Sequence, residues 1–183
     1  MKKSYFIFFL FFTTATFAQS GDYDVFLARQ FFENGEYAKA SEYYNDLFQQ
    51  NPAEYYADYL NVLILLKDFD KAEKTIKTIY KQSGNNPLYL MDLADLYLKQ
   101  NKEEEANKQF NKTIKELKPD RYTISQIAEK FIQLKQLDFA QRAYEKGKEI
   151  LKDKNAFNLN IAKLLYLKND WNGMINAYLN EAP

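Results

Sequence analysis

Leu90-Met91-Asp92-Leu93-Ala94-Asp95-Leu96-Tyr97-Leu98-Lys99-Gln100-Asn101-Lys102-Glu103-Glu104-Glu105-Ala106-Asn107-Lys108-Gln109-Phe110 carries the pattern that decides the fold. Ala94 follows the large Leu93 and stands three residues before Tyr97; Ala106 stands four residues before Phe110. Spacings of three and four put those side chains on one face of a helix. Small side chains at the contact let two helices approach to about 8–10 Å. Between the two halves lies Asn101-Lys102, where asparagine tolerates the left-handed backbone that ends a helix and lysine favours the negative end of its dipole. The stretch therefore predicts two amphipathic helices folded back on each other through a tight turn.

The same pattern recurs along the chain. Ala40, Ala72, Ala106 and Ala140 are separated by 32, 34 and 34 residues, and Met174 lies 34 further on. In the first helix of each unit the small position is Ala28, Leu60, Ala94, Ala128 and Ala162, preceded by Leu27, Tyr59, Leu93, Ile127 and Ile161. Phe31, Leu63, Tyr97, Phe131 and Leu165 follow three residues later, and Tyr44, Ile76, Phe110, Tyr144 and Tyr178 answer them in the second helices. Turns fall at Asn34-Gly35, Lys67-Asp68, Asn101-Lys102, Lys135-Gln136 and Asn169-Asp170. Pro52, Pro87 and Pro119 separate units, since proline donates no amide hydrogen and restricts the residue before it. The interval of 32 predicts a tighter connection at Gln50-Asn51-Pro52.

Composition agrees with helices. Five Gly and four Pro are too few for the corners of a β-sandwich or barrel. With no Cys and no His, the chain lacks thiol and imidazole nucleophiles, disulfides and His- or Cys-ligated metal sites. The 25 basic and 25 acidic residues balance, which argues against a nucleic-acid surface and for protein partners. Asp92 with Asp95, and Glu103-Glu104-Glu105, have no calcium-loop spacing around them and read as solvated helix surface. No catalytic constellation assembles, so the expectation is a non-enzyme with no cofactor and no metal.

Lys2 and Lys3, the apolar run from Tyr5 to Phe12, and Thr16-Phe17-Ala18 have the three-part layout of a secretory signal peptide over residues 1–18. Cleavage after Ala18 is expected. The run is shorter than the roughly 20 apolar residues that span a bilayer, so no stable membrane anchor is expected. The mature chain is expected to be exported, to a bacterial periplasm or the medium.

With five phased copies, the chain resembles the tetratricopeptide-repeat family. That family's pattern of large, small and aromatic positions, then Ala-x3-aromatic, then Pro is matched by Leu27, Ala28, Phe31, Ala40, Tyr44 and Pro52 in the first unit. The third matches with Leu90, Leu93, Ala94, Tyr97, Ala106, Phe110 and a one-residue-late Pro119, while Leu60 and Met174 depart from it. The resemblance implies an all-α fold: a right-handed α-solenoid of about five repeats within residues 19–183, at about 21–52, 53–86, 87–120, 121–154 and 155–183. Leu27, Ala28, Ala40, Tyr44, Ala72, Ala94, Tyr97, Ala106, Phe110, Ala128, Ala140, Tyr144, Ala162 and Tyr178 would form the repeat core.

It also implies a concave surface of first helices that binds a peptide or partner helix. Carried over by phase, one row is Arg29, Asn61, Asp95, Glu129 and Lys163, and beside it runs the apolar row Phe32, Ile64, Leu98, Ile132 and Tyr166. Met91, Tyr122 and Leu159 would extend the floor. Burial between neighbouring helices is the competing reading of the apolar row. The family's carboxylate clamp is rejected, because its places hold Val25, Arg29, Asp58, Leu88 and Asp92, whose aspartates repel a carboxylate.

Trp171, Ile175 and Tyr178 would lack a downstream neighbour, because the sequence stops at Glu181-Ala182-Pro183. A longer protein, or end-to-end self-association through that C-terminal face, would account for them. The functional expectation is an interaction scaffold, with a sensory or substrate-positioning module of a longer envelope receptor or enzyme as the alternative.

Overall fold

The computed structural model describes residues 16–179, with side chains from residue 22. Most of the expected leader, residues 1–15, lies outside the described residues, as do residues 180–183. Among the described residues there are ten helices and no strand: α1 Thr16–Glu33, α2 Tyr37–Gln50, α3 Pro52–Leu65, α4 Phe69–Gln82, α5 Leu88–Lys99, α6 Glu103–Lys115, α7 Arg121–Gln133, α8 Leu137–Leu151, α9 Asn158–Leu167 and α10 Trp171–Leu179. The fold is all-α. Contacts divide the chain after Asp68 into two compact units.

The turn after each first helix is built the same way. Gly35, Lys67, Asn101, Lys135 and Asn169 all take φ between 57° and 76°. In each, the left-handed residue's N–H donates to the carbonyl three back and the next N–H to the carbonyl five back, as in Asn101 to Leu98 and Lys102 to Tyr97, both 2.9 Å. This is the Schellman arrangement, which uses up carbonyls that a helix end otherwise leaves unpaired. The connections after second helices differ. A single residue, Asn51, separates α2 from α3, with Pro52 at the first helical position, where no amide partner is needed. The tighter connection expected from the interval of 32 is thus present. Pro87 and Pro119 lie at or just before the start of the following helix. At Asp120 the side chain accepts from the Thr123 N–H at 2.9 Å and caps α7.

In the first unit, Ala28 and Ala40 are fully buried where α1 meets α2. Phe48 packs on Tyr59 with ring centroids 5.5 Å apart, and the Tyr59 hydroxyl donates to Asn45 at 2.9 Å, fastening α3 to α2. The second unit has one continuous core from Met91 to Leu164. Ala94 and Ala106 lie at the α5–α6 contact and Ala128 and Ala140 at the α7–α8 contact, each fully buried. Around them Phe110, Phe131 and Phe139 lie 5.1–5.4 Å apart. Phe110 and Phe131, fully buried, each contribute about 1.5–3 kcal/mol through burial, and the partly buried Phe139 less. Gly147 fits a gap that a side chain would fill: an added Cβ would lie 2.7 Å from the Phe157 ring and 2.8 Å from Ile124.

Three expected core positions deviate. Leu27 and Tyr97 are only half-buried, and Tyr178 is 49% exposed because no described element packs over its side of α10. None of α10's residues is buried.

Candidate functional site: the faces of the first helices

The apolar row stands one turn before each hairpin turn, and this position decides its environment. Phe32 packs on Tyr37, the first residue of α2, at 5.6 Å, and Tyr166 meets Trp171, the first residue of α10, edge-on at 5.3 Å. Ile64 is half-buried, and Leu98 and Ile132 are half-buried against the core of the second unit. In the first and last hairpins the row thus packs on the start of the second helix, with Tyr166 still partly open to solvent, and Leu98 and Ile132 lean on the core instead of forming an open floor. Met91 is a correction: at 1% exposure it belongs to the core, because it faces inward from α5.

The remaining expected site residues reach solvent. Arg29 and Asn61 are exposed in the first unit, Glu129 and Lys163 in the second, while Asp95 is tied to Lys99 one turn on at 2.5 Å. Tyr122 is 70% exposed and accepts from the Gln126 amide at 3.0 Å. Leu159 and Tyr166 are each 53% exposed. So α7 and α9, the first helices of consecutive hairpins, present two tyrosines and a leucine, with one acid and one base among them. Asp92, at one of the clamp places, is paired with Lys130, which ties α7 to α5. Among the described residues no group of three or more acidic side chains is placed to hold a metal ion, and no helix is long and apolar enough to cross a membrane.

Side-chain hydrogen bonds tie the helices and loops of the second unit together. The Arg142 guanidinium donates to Asn111 at 2.9 Å, Lys168 to Gln141 and Asp138 at 2.8 Å, and Arg121 to Asp153 at 2.6 Å. Tyr80 donates to Glu116 at 2.6 Å, and burial, then that carboxylate, push its hydroxyl up to about 12. Tyr144 is also pushed up to about 12, first by burial and then by Glu129. No partner lies in good hydrogen-bonding geometry to its hydroxyl, and the weak contact of the Asn160 side chain offsets the shift only in part.

Overall neutrality conceals a charge polarity. Residues 22–68 hold three basic and nine acidic side chains, whereas residues 69–179 hold twenty basic and fifteen acidic. Counting by segment finds this; the balanced total does not.

No family model and no curated protein matches the chain. Similar solved structures include a tetratricopeptide repeat protein from Parabacteroides merdae, 16% identical with a TM-score of 0.47 over 87% of this chain. This chain spans 64% of that protein's length. MamA from Desulfovibrio magneticus is 13% identical, with a TM-score of 0.44 over 88% of this chain and 92% of its own. YrrB, described as a TPR protein with an unusual peptide-binding site, is 12% identical, with a TM-score of 0.41 over 92% of each chain. Likenesses this distant add no argument; the fold rests on the chain's own tandem helical hairpins and their five matching turns.

Proposed function

We propose that the chain is an exported, non-enzymatic scaffold that binds a peptide or partner helix on the first-helix face of residues 69–179. The observation that carries this reading is the exposure of Tyr122, Leu159 and Tyr166 on consecutive first helices, with Glu129 and Lys163 exposed on the same helices. Tyrosine supplies a large contact area with few rotatable bonds, and its hydroxyl remains wettable when no partner is bound. A partner with an apolar stripe and mixed charge fits such a surface. A photo-crosslinking residue at position 122 or 166 should trap the same envelope protein, and one at Lys108 on α6 should not. The double variant Tyr122→Ala, Tyr166→Ala should keep its helical circular dichroism and lose that partner. Equal trapping from Lys108, or undiminished binding by the double variant, would move the binding surface elsewhere. Export is tested separately: the envelope fraction should contain a chain beginning at Gln19, and one retaining Met1 to Ala18 would refute cleavage.

A further inference from the structure

We propose that copies of this chain bind head to tail, with α10 of one copy docking on α1 of the next through the contacts that join consecutive hairpins. The template is the junction of α8 with α9. There Tyr144 packs on Phe157 at 5.2 Å, with its hydroxyl beside Asn160. By repeat phase Tyr178 is the counterpart of Tyr144, and Tyr23 and Phe26 are the counterparts of Phe157 and Asn160. Tyr178 is 49% exposed, Tyr23 61% and Phe26 58%. Helix α10 thus offers the aromatic that the template places on a following hairpin, and α1 offers two aromatics where the template receives it.

The neighbouring positions favour a second copy over a partner that merely imitates an ordinary hairpin. In each of α2, α4, α6 and α8, one of the two positions one and five residues after the alanine makes a polar contact to the next hairpin. Gln141 accepts from Lys168, Glu73 is bonded by Tyr97, Asn45 accepts from Tyr59 and Asn111 from Arg142. In α10 these positions hold Ile175 and Leu179, 51% and 66% exposed. The first helix changes in the same sense. Phe26 stands where later first helices have the polar Asp58, Asp92, Gln126 and Asn160. Both partners of one junction have therefore become apolar together, so each suits the other better than it suits an internal helix. The acidic residues 22–68 of one copy would also meet the basic residues 69–179 of the next. Such a contact is heterologous: every copy retains one free face of each kind, and assembly proceeds beyond the dimer unless a ring closes.

The test uses the complete reading frame, purified with the N-terminus that the cell leaves. In sedimentation velocity the weight-average mass should rise with concentration past that of a dimer. Phe26→Asp gives α1 the acid that α3 and α5 carry at this position, and Ile175→Glu with Leu179→Lys restores internal polarity in α10. All three positions are exposed, and circular dichroism checks the fold. Each variant alone should remain monomeric, and their equimolar mixture should stop at about twice the monomer mass, because only one complementary pair of faces remains. The chain has no cysteine, so mixed Tyr23→Cys and Tyr178→Cys chains should oxidise to the 23–178 heterodimer. A monomeric wild type, association of Phe26→Asp alone, an inert mixture, or a predominance of 178–178 disulfides would each overturn the proposal.

Discussion

Gly147 shows how closely the second unit is packed. A methyl group there would meet the Phe157 ring at 2.7 Å and Ile124 at 2.8 Å, and Phe157 is itself held in a left-handed backbone at φ 64°, with little freedom to yield. Gly147→Ala should lower stability by about 1–3 kcal/mol, the usual cost of overpacking, seen as a lower urea midpoint with unchanged slope. An unchanged midpoint would mean that Phe157 moves aside freely. Tyr144 beside it predicts the opposite sign. Its buried hydroxyl has no partner in good hydrogen-bonding geometry, so Tyr144→Phe removes a desolvated polar group while keeping the ring on Phe157. Stability should rise by about 1 kcal/mol, and a fall would reveal a bound water or an Asn160 contact that pairs the hydroxyl. At this scale the sequence was only partly legible. Ala94 and Phe110 announce the core by phase, but nothing in the spacing separates buried Met91 from exposed Leu159, which share one repeat position. The difference arises in the surroundings: Met91 belongs to the central cluster with residues of α6, α7 and α8, whereas Leu159 does not.

Among the elements, the hairpin turn was the most legible, because its chemistry is local. All five left-handed residues occur within the turn dipeptides, yet only Gly35 is a glycine. Lysine pays a steric penalty of about 1–2 kcal/mol in that conformation. Lys135→Gly should therefore raise the thermal midpoint by relieving φ 59° while leaving the Gln136 to Phe131 hydrogen bond of 2.8 Å intact. A lower midpoint would show that the lysine side chain makes a contact worth more than the strain. The loops between hairpins were less legible, since their proline positions vary and Asp120, Asp153 and Phe157 settle their paths through side-chain contacts. Those contacts set the acid response. Hydrogen bonding from Lys77 lowers the Glu73 carboxyl below its ordinary 4.5. Asp120 is lowered below 3.8 by Thr123, Asp138 by Lys168, and Asp153 by the Asn155 backbone and then Arg121. A folded value below the unfolded one gives stability that is fully present above the unfolded value and lost as pH falls through the folded value. The urea midpoint should hold near pH 6 and decline from about pH 4.5 downward, with Asp153→Asn flattening the decline; a midpoint constant to about pH 2.5 would mean that these bonds add nothing.

At the scale of the whole molecule, the total charge is the least informative electrostatic quantity. The apolar first-helix row was legible as a pattern but not as a site, because the same spacing serves a binding floor and a hairpin closure, and Tyr166 on Trp171 shows the second use. The charge polarity was legible as counts per segment and invisible in the balance of 25 against 25. It also separates two forces in the proposed head-to-tail contact. Apolar burial between Tyr178, Ile175 and Leu179 and the first helix of the next copy responds little to moderate salt, whereas attraction between an acidic and a basic segment is screened. The screening length falls from about 30 Å at 0.01 M to about 3 Å at 1 M. If both forces act, raising sodium chloride across that range should weaken association, mainly by slowing its onset, since long-range attraction steers encounter more than it holds the finished contact. Sodium sulfate, which strengthens effective apolar burial, should weaken it less at matched ionic strength. Association that strengthens steadily with sodium chloride would assign the contact to apolar burial alone and leave the opposite charges of residues 22–68 and 69–179 to some other partner.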